Sequence, residues 1–130
     1  MRLKFSVDSS ESTVSGVFSL AHRYTGPPSF AHGGIIATLL EEAMGKLNRV
    51  DGVVAMTAEL SVEYLNPVPL SRKIIVEARP SEQRDRDYWR ESTIRDSRDR
   101  LLARGRARFV RVNTKRPVPR TRSSGIRGSE

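Results

Sequence analysis

The chain has 130 residues, a formal net charge of +8, 37% hydrophobic and 29% charged residues, and no cysteine. That length suits one domain with a modest core, and the lack of cysteine excludes a disulfide framework, a thiolate metal site and a cysteine nucleophile. No apolar run approaches the roughly 18 residues of a membrane span, and the opening MRLKFSVDSSES has no apolar signal-peptide core, so a cytoplasmic setting is expected.

The first twelve residues are polar. TVSGVFSLAHRY (13–24) alternates as a strand does, with Val14, Gly16, Phe18 and Leu20 on one side. His22 falls in it as a surface or strand histidine. With His32 ten residues on, it makes no zinc signature, and no metal site is expected. TGPPSF (25–30) is a loop because of its Gly-Pro-Pro.

AHGGIIATLLEEAMG (31–45) opens a helix that RVDG (49–52) ends. At 100° per residue, Ile36, Leu39, Leu40, Ala43, Met44 and Leu47 form an apolar stripe that should face a sheet. Glu42 has Lys46 at i+4, an ordinary solvated pair. Glu41 lies about 140° from the stripe's centre. Its neighbours one turn away include Ala37 and Gly45, with no basic residue among them. His32-Gly33-Gly34 stands where backbone N–H groups lack helical acceptors and the dipole adds positive charge. Spacing alone supports two readings equally. One is a simple helix start with His32 as a cap; the other is a site for a developing oxyanion.

VVAMTAELSVEYLNPVP (53–69) reads as a long half-buried strand. Val54, Met56, Ala58, Leu60, Val62 and Tyr64 lie on one face and Thr57, Glu59, Ser61 and Glu63 on the other. RKIIVEAR (72–79) turns Ile74, Val76 and Ala78 inward, SEQRDRD (81–87) is a charged turn, and YWRESTIRD (88–96) is a strand. LLARGRARFVRV (101–112) places Ala103, Gly105, Ala107 and Phe109 under a closely packed helix and Arg104, Arg106 and Arg108 on the other face. That arginine stripe is read as a solvated face or interface edge, with phosphate binding the lesser reading. NTKRPVPRTRSSGIRGSE (113–130) carries five basic residues against one Glu and almost nothing apolar, so it is expected to be a disordered tail beyond a domain of residues 1–112. One early helix followed by four up-and-down strands argues for an α+β fold, with the helix over an antiparallel sheet.

The stretch GPPSFAHGGIIATLLEEAMG, with MTAELSVEYLNPVP and LLARGRARFVRV, resembles the hotdog-fold acyl-CoA thioesterases of the 4-hydroxybenzoyl-CoA thioesterase and phenylacetate-pathway (PaaI-like) group. Their pattern has His-Gly-Gly, an apolar helix and an acidic residue nine positions after the histidine. The resemblance covers about residues 14–112. It implies a long central helix wrapped by an antiparallel sheet of five to six strands, and a dimer at least, usually assembled into a tetramer, with sites at the dimer interface. It implies Glu41 as nucleophile or general base, the Gly34 amide as oxyanion donor and Thr57, supplied by the other subunit, as the hydroxyl. It implies further that His32 orients the loop and that no metal or redox cofactor is needed, while Gly33, as a glycine, lets an acceptor approach the backbone. Gly26 stands where many relatives have Asn or Gln, most PaaI-like relatives have Asp in place of Glu41, and the basic tail lies outside the family pattern. The expected activity is hydrolysis of an acyl-CoA thioester. The alternative is a hotdog module that binds acyl-CoA without cleaving it. Nucleic-acid binding is disfavoured because no basic-aromatic surface or helix-turn-helix supports it.

Overall fold

A computed structural model describes residues 4–8, 12–21 and 30–112, and the backbone of residues 25 and 26. His22, Pro27, Pro28 and the tail 113–130 lie outside the described residues. The elements are β1 (Ser6–Asp8), β2 (Thr13–Ser19), β3 (Thr25–Gly26), β4 (Phe30–Ala31), α1 (Gly33–Val50), β5 (Ala55–Tyr64), β6 (Lys73–Arg84), β7 (Asp87–Asp96) and β8 (Leu101–Arg111). Six of the strands form one sheet in the order β1-β2-β6-β7-β8-β5, with every described pairing antiparallel. The other two, β3 and β4, form a short ribbon at the approach to α1. No helix is long and apolar enough to cross a membrane.

Helix α1 lies across the sheet because its stripe demands it. Ile36, Leu39, Leu40, Ala43, Met44 and Leu47 are all buried, against inward residues that include Val14, Ile74, Val76, Ala78, Ile94, Ala103 and Ala107. Each fully buried leucine contributes about 1.5–3 kcal/mol relative to exposure. The small residues of β8 let the helix come close. A Cβ on Gly105 would sit 3.1 Å from Ser92 Oγ and 3.3 Å from Leu40 Cβ.

Closeness leaves Ser92 Oγ buried without a hydrogen-bond partner. An unsatisfied buried hydroxyl carries its desolvation cost uncompensated. We therefore expect Ser92→Ala to melt at the same temperature as the wild type or above it. A clear fall in the thermal unfolding midpoint would show that the hydroxyl has a partner in solution.

The structure corrects three expectations about the strands. First, β6 runs on to Arg84 through a register shift between Pro80 and Glu82, so most of the expected charged turn is strand and the reversal is confined to Asp85 and Arg86. A proline is tolerated in a strand at such an irregularity, and Asp85 takes the positive φ of 54° that the tight turn needs. Second, β5 does not pair with β6; it crosses to β8 and forms the sheet's edge. Third, β5 is not half-buried. Met56, Leu60 and Tyr64 are exposed, as are Val54 just before the strand and Leu65 just beyond.

The register of β5 explains part of that difference. Its pairing with β8 shifts between Thr57 and Glu59, leaving Ala58 as a bulge. Thr57 pairs with the buried Phe109, and Leu60, Val62 and Tyr64 pair with Ala107, Gly105 and Ala103. Thr57 therefore shares the helix-facing side with Leu60, Val62 and Tyr64, while Met56 faces outward with Glu59, Ser61 and Glu63. Strict alternation puts Thr57 and Met56 on the opposite faces; one extra residue reverses both.

Charge is distributed between two faces. On the outer face each arginine of the β8 stripe has an acidic partner. Arg104 pairs with Glu63, Arg106 with Glu82 at 3.1 Å, and Arg108 with Glu59 at 3.4 Å and Asp87 at 3.3 Å. Hydrogen bonding and charge from Arg104 hold the Glu63 carboxyl below its ordinary value. Arg106 also stacks on the Trp89 ring, 4.1 Å from its centroid. Arginines committed in this way argue against the stripe as a phosphate site. On the inner face, Arg90 is buried, bonding to the Asn48 side chain at 3.0 Å and to Asp51 at 2.9 Å, so it ties β7 to the end of α1.

Candidate active site

The start of α1 is held by its own residues. His32 is the N-cap, in extended conformation at φ −64° and ψ 142°. Its Nδ1 accepts the Gly34 N–H at 3.0 Å, and its carbonyl accepts the N–H groups of Ile35 at 3.0 Å and Ile36 at 3.2 Å. Accepting at Nδ1 places the proton of the neutral ring on Nε2. Thr38 Oγ1 donates to the Gly34 carbonyl at 2.8 Å, and the Tyr64 hydroxyl donates to the Gly33 carbonyl at 3.1 Å.

The resemblance implies the Gly34 amide as the oxyanion donor. The Gly34 amide already serves the cap and does not face outward unoccupied. The Gly33 N–H, one residue earlier, has no acceptor among the described residues. It has the dipole behind it and a half-exposed backbone around it. The small ribbon positions the approach. Gly26 pairs with Phe30, Thr25 pairs with Ala31, and the Ala31 N–H donates to the Val68 carbonyl at 2.9 Å. Gly26 thus lies in the strand beside the segment leading into the cap, with only backbone to offer.

Glu41 is half-buried on α1, and Thr57 Oγ1 donates to its Oε2 at 3.2 Å. The structure therefore joins two of the expected residues, but within one chain. Resemblance to the family had assigned this hydroxyl to the partner subunit. A hydroxyl bonded to one carboxylate oxygen fixes the group's rotation and leaves the other oxygen for a substrate or a water. Glu42 is exposed, and the expected ion pair with Lys46 does not form. Among the described residues, no other element closes over Gly45. The nearest atom to a Cβ placed there is Arg49 Nη1, at 3.8 Å.

Glu41 and Gly33 do not converge. They stand eight residues apart on one helix, which at 1.5 Å per residue is about 12 Å along the axis. A depression of about 800 Å³ elsewhere on the surface, lined by Trp89, Glu91, Arg104 and Arg106, opens on the outer sheet face and contains none of the residues of this site. Sequence reasoning did not single out Tyr64, whose hydroxyl meets the helix start. The period-2 pattern of β5 places it on a face but says nothing of what its hydroxyl reaches.

A model of the thioesterase superfamily matches residues 29–88. Acyl-coenzyme A thioesterase THEM4 of Xenopus laevis is 37% identical over 79 residues, which is 59% of this chain and 35% of that protein. The chain thus spans about a third of the length of that curated relative. A solved thioesterase superfamily protein shares the fold with a TM-score of 0.79 at 29% identity, over 83% of this chain and 55% of that one. A Streptococcus mutans protein solved with acetyl CoA has a TM-score of 0.79 at 18% identity, over 87% of this chain and 90% of that one, a likeness of fold alone. The family match runs from the approach to the His32 cap into the first residues of β7, and with the shared fold it makes the chain similar to the hotdog-fold thioesterases in sequence as well as in architecture.

Proposed function

We propose that the protein hydrolyses acyl-CoA thioesters at sites formed between two copies of the chain. One observation carries this reading. Helix α1 carries a half-buried carboxylate, held by the Thr57 hydroxyl of β5, and its first amide, that of Gly33, has no acceptor among the described residues. Carboxylate and amide are the two groups that thioester cleavage needs. Their separation of about 12 Å means that one carbonyl carbon cannot meet both within a single chain. A two-fold dimer with antiparallel helices resolves this, because the Gly33 amide of one chain then faces Glu41 of the other. The exposed apolar residues of β5 support the same assembly. An unpaired edge with Val54, Met56, Leu60 and Tyr64 in solvent is a strand prepared for a partner.

In this reading the thioester carbonyl oxygen accepts the Gly33 N–H, which stabilises the charge that develops there. Glu41 either takes a proton from a water that attacks the carbonyl carbon, or attacks it directly to give an anhydride that water then opens. In both routes the carbon–sulfur bond breaks, CoA leaves as the thiol, and the acyl group leaves as the free acid. THEM4 of Xenopus laevis bears the name of an acyl-CoA thioesterase, and the fold relative from Streptococcus mutans was solved with acetyl CoA, which favours CoA esters as the substrate class.

A panel of short, long and aromatic acyl-CoAs, assayed for thiol release, tests the proposal. We expect turnover of at least one. Saturable binding of an acyl-CoA without thiol release from any of them would replace the enzyme with an acyl-CoA-binding module. The glycine at position 26, with no side chain where many relatives carry an amide, is the feature that would fit that outcome.

A further inference from the structure

Tyr64 contacts the helix start at the one peptide group that carries two side-chain bonds there. Three successive peptide groups form the first turn. The His32–Gly33 group is held by its carbonyl, which accepts from Ile35 and Ile36. The Gly33–Gly34 group is held at both ends, by His32 Nδ1 on its N–H and by the Tyr64 hydroxyl on its carbonyl. The Gly34–Ile35 group is held by Thr38 on its carbonyl. Gly-Gly is the backbone pair with the most conformational freedom to lose, so without bonds on both sides of the Gly33 Cα the peptide that carries the Gly33 N–H and the one after it would turn against each other. Among the side chains that hold this turn, His32 and Thr38 are local to it, whereas Tyr64 comes from β5, 31 residues on. Its ring lies within van der Waals reach of Gly33, 3.6–3.7 Å from a Cβ placed there. The same helix-facing side of β5 carries Thr57, which holds Glu41.

We infer that Tyr64 is a positioning residue. Its hydroxyl holds the Gly33–Gly34 peptide, the neighbour of the peptide that carries the Gly33 N–H, and by restricting rotation at the Gly33 Cα keeps that N–H aimed at the substrate carbonyl. One edge strand then sets both working groups, Glu41 through Thr57 and the Gly33 amide through Tyr64. This inference rests on the hydrolase reading above. An oxyanion donor acts by being aimed in advance, so losing its aim slows the chemical step more than it weakens substrate binding.

Tyr64→Phe tests it, since it keeps the ring and removes the donor. We expect kcat on the best acyl-CoA to fall about tenfold, short of the ~10²–10³ of losing an oxyanion donor altogether. KM should stay within about twofold, the melting temperature should be unchanged, and the amide resonances of Gly33 and Gly34 should shift. A wild-type kcat in this variant, alongside an active wild type and an inactive Glu41→Gln, would overturn the inference and leave the hydrolase reading standing. A raised KM at unchanged kcat would also overturn it, because the hydroxyl would then be binding substrate. A wild type silent on every acyl-CoA would remove both. Should Tyr64→Phe melt early, the wild-type spectrum decides: a nuclear Overhauser contact between the Tyr64 ring and the Gly33 α-protons supports the inference, and its absence overturns it.

Discussion

Glu41→Gln is expected to lower thiol release from acyl-CoA by about 10²–10⁴-fold, the range for loss of a positioned proton acceptor. Glutamine preserves the size of the side chain and can still accept from Thr57 Oγ1, which now bonds Glu41 Oε2 at 3.2 Å. It removes the negative charge and the basicity. The effect should therefore appear in kcat, with an unchanged melting temperature and an unchanged oligomeric state. Single-turnover cleavage in ¹⁸O-labelled water separates the two chemical routes. Direct attack by water leaves Glu41 unlabelled, whereas label in the Glu41 carboxylate after one turnover shows that Glu41 attacked and that water opened the anhydride at the Glu41 carbonyl. Turnover like that of the wild type in Glu41→Gln would eliminate Glu41 as either group.

The second large effect lies far from the chemistry. Arg90 is 4% exposed, and its guanidinium divides between Asn48, which is 6% exposed, and Asp51. Arg90→Met keeps much of the apolar stem and removes both bonds. Breaking a buried pair from one side generally costs about 3–5 kcal/mol, because the remaining partner stays buried and unpaired. Here the Asp51 side chain keeps a third of its surface in water, which lets it rehydrate, but the Asn48 acceptor has no such outlet. We expect the lower end, about 3 kcal/mol. For a domain of this size that is a fall of about 10 °C in the unfolding midpoint. Urea denaturation of the two proteins checks it. Arg90→Lys should fall between them, since an ammonium keeps the charge but not the two-pronged reach. An Arg90→Met protein as stable as the wild type would show that the network defines geometry without contributing stability.

Much of the fold was legible from periodicity. The apolar stripe of α1 is buried at each position the 100° step selects, and Ile74, Val76 and Ala78 of β6 and Ala103, Gly105, Ala107 and Phe109 of β8 face inward as their alternation indicates. These segments are regular, and a regular segment has one phase. The sequence reading failed where regularity does. β5 carries a bulge that its alternating residues give no sign of, and it is an edge strand, so an apolar face is not a buried face within one chain. Arg90 reads as a polar residue on a strand, and only the tertiary arrangement supplies the two acceptors that make its burial tolerable. The site divided in the same way. Residue types and spacing singled out Glu41 and the His-Gly-Gly start, and resemblance supplied Thr57. Which amide stays unoccupied depended on the His32 rotamer, which no spacing encodes.

Ala58 has a consequence beyond its own strand. The two halves of β5 are a half-period out of step, like two lengths of a zip joined with one tooth too many. Deleting that single small residue would restore a continuous ladder and lose no core side chain, yet it would turn Thr57 away from Glu41 and bring Met56 round in its place. A one-codon deletion outside the core could therefore separate folding from turnover, and a one-codon insertion elsewhere in an edge strand is a route by which a plain sheet could acquire an inward hydroxyl. In this chain, then, the spacing error is itself the feature that brings the threonine to the carboxylate.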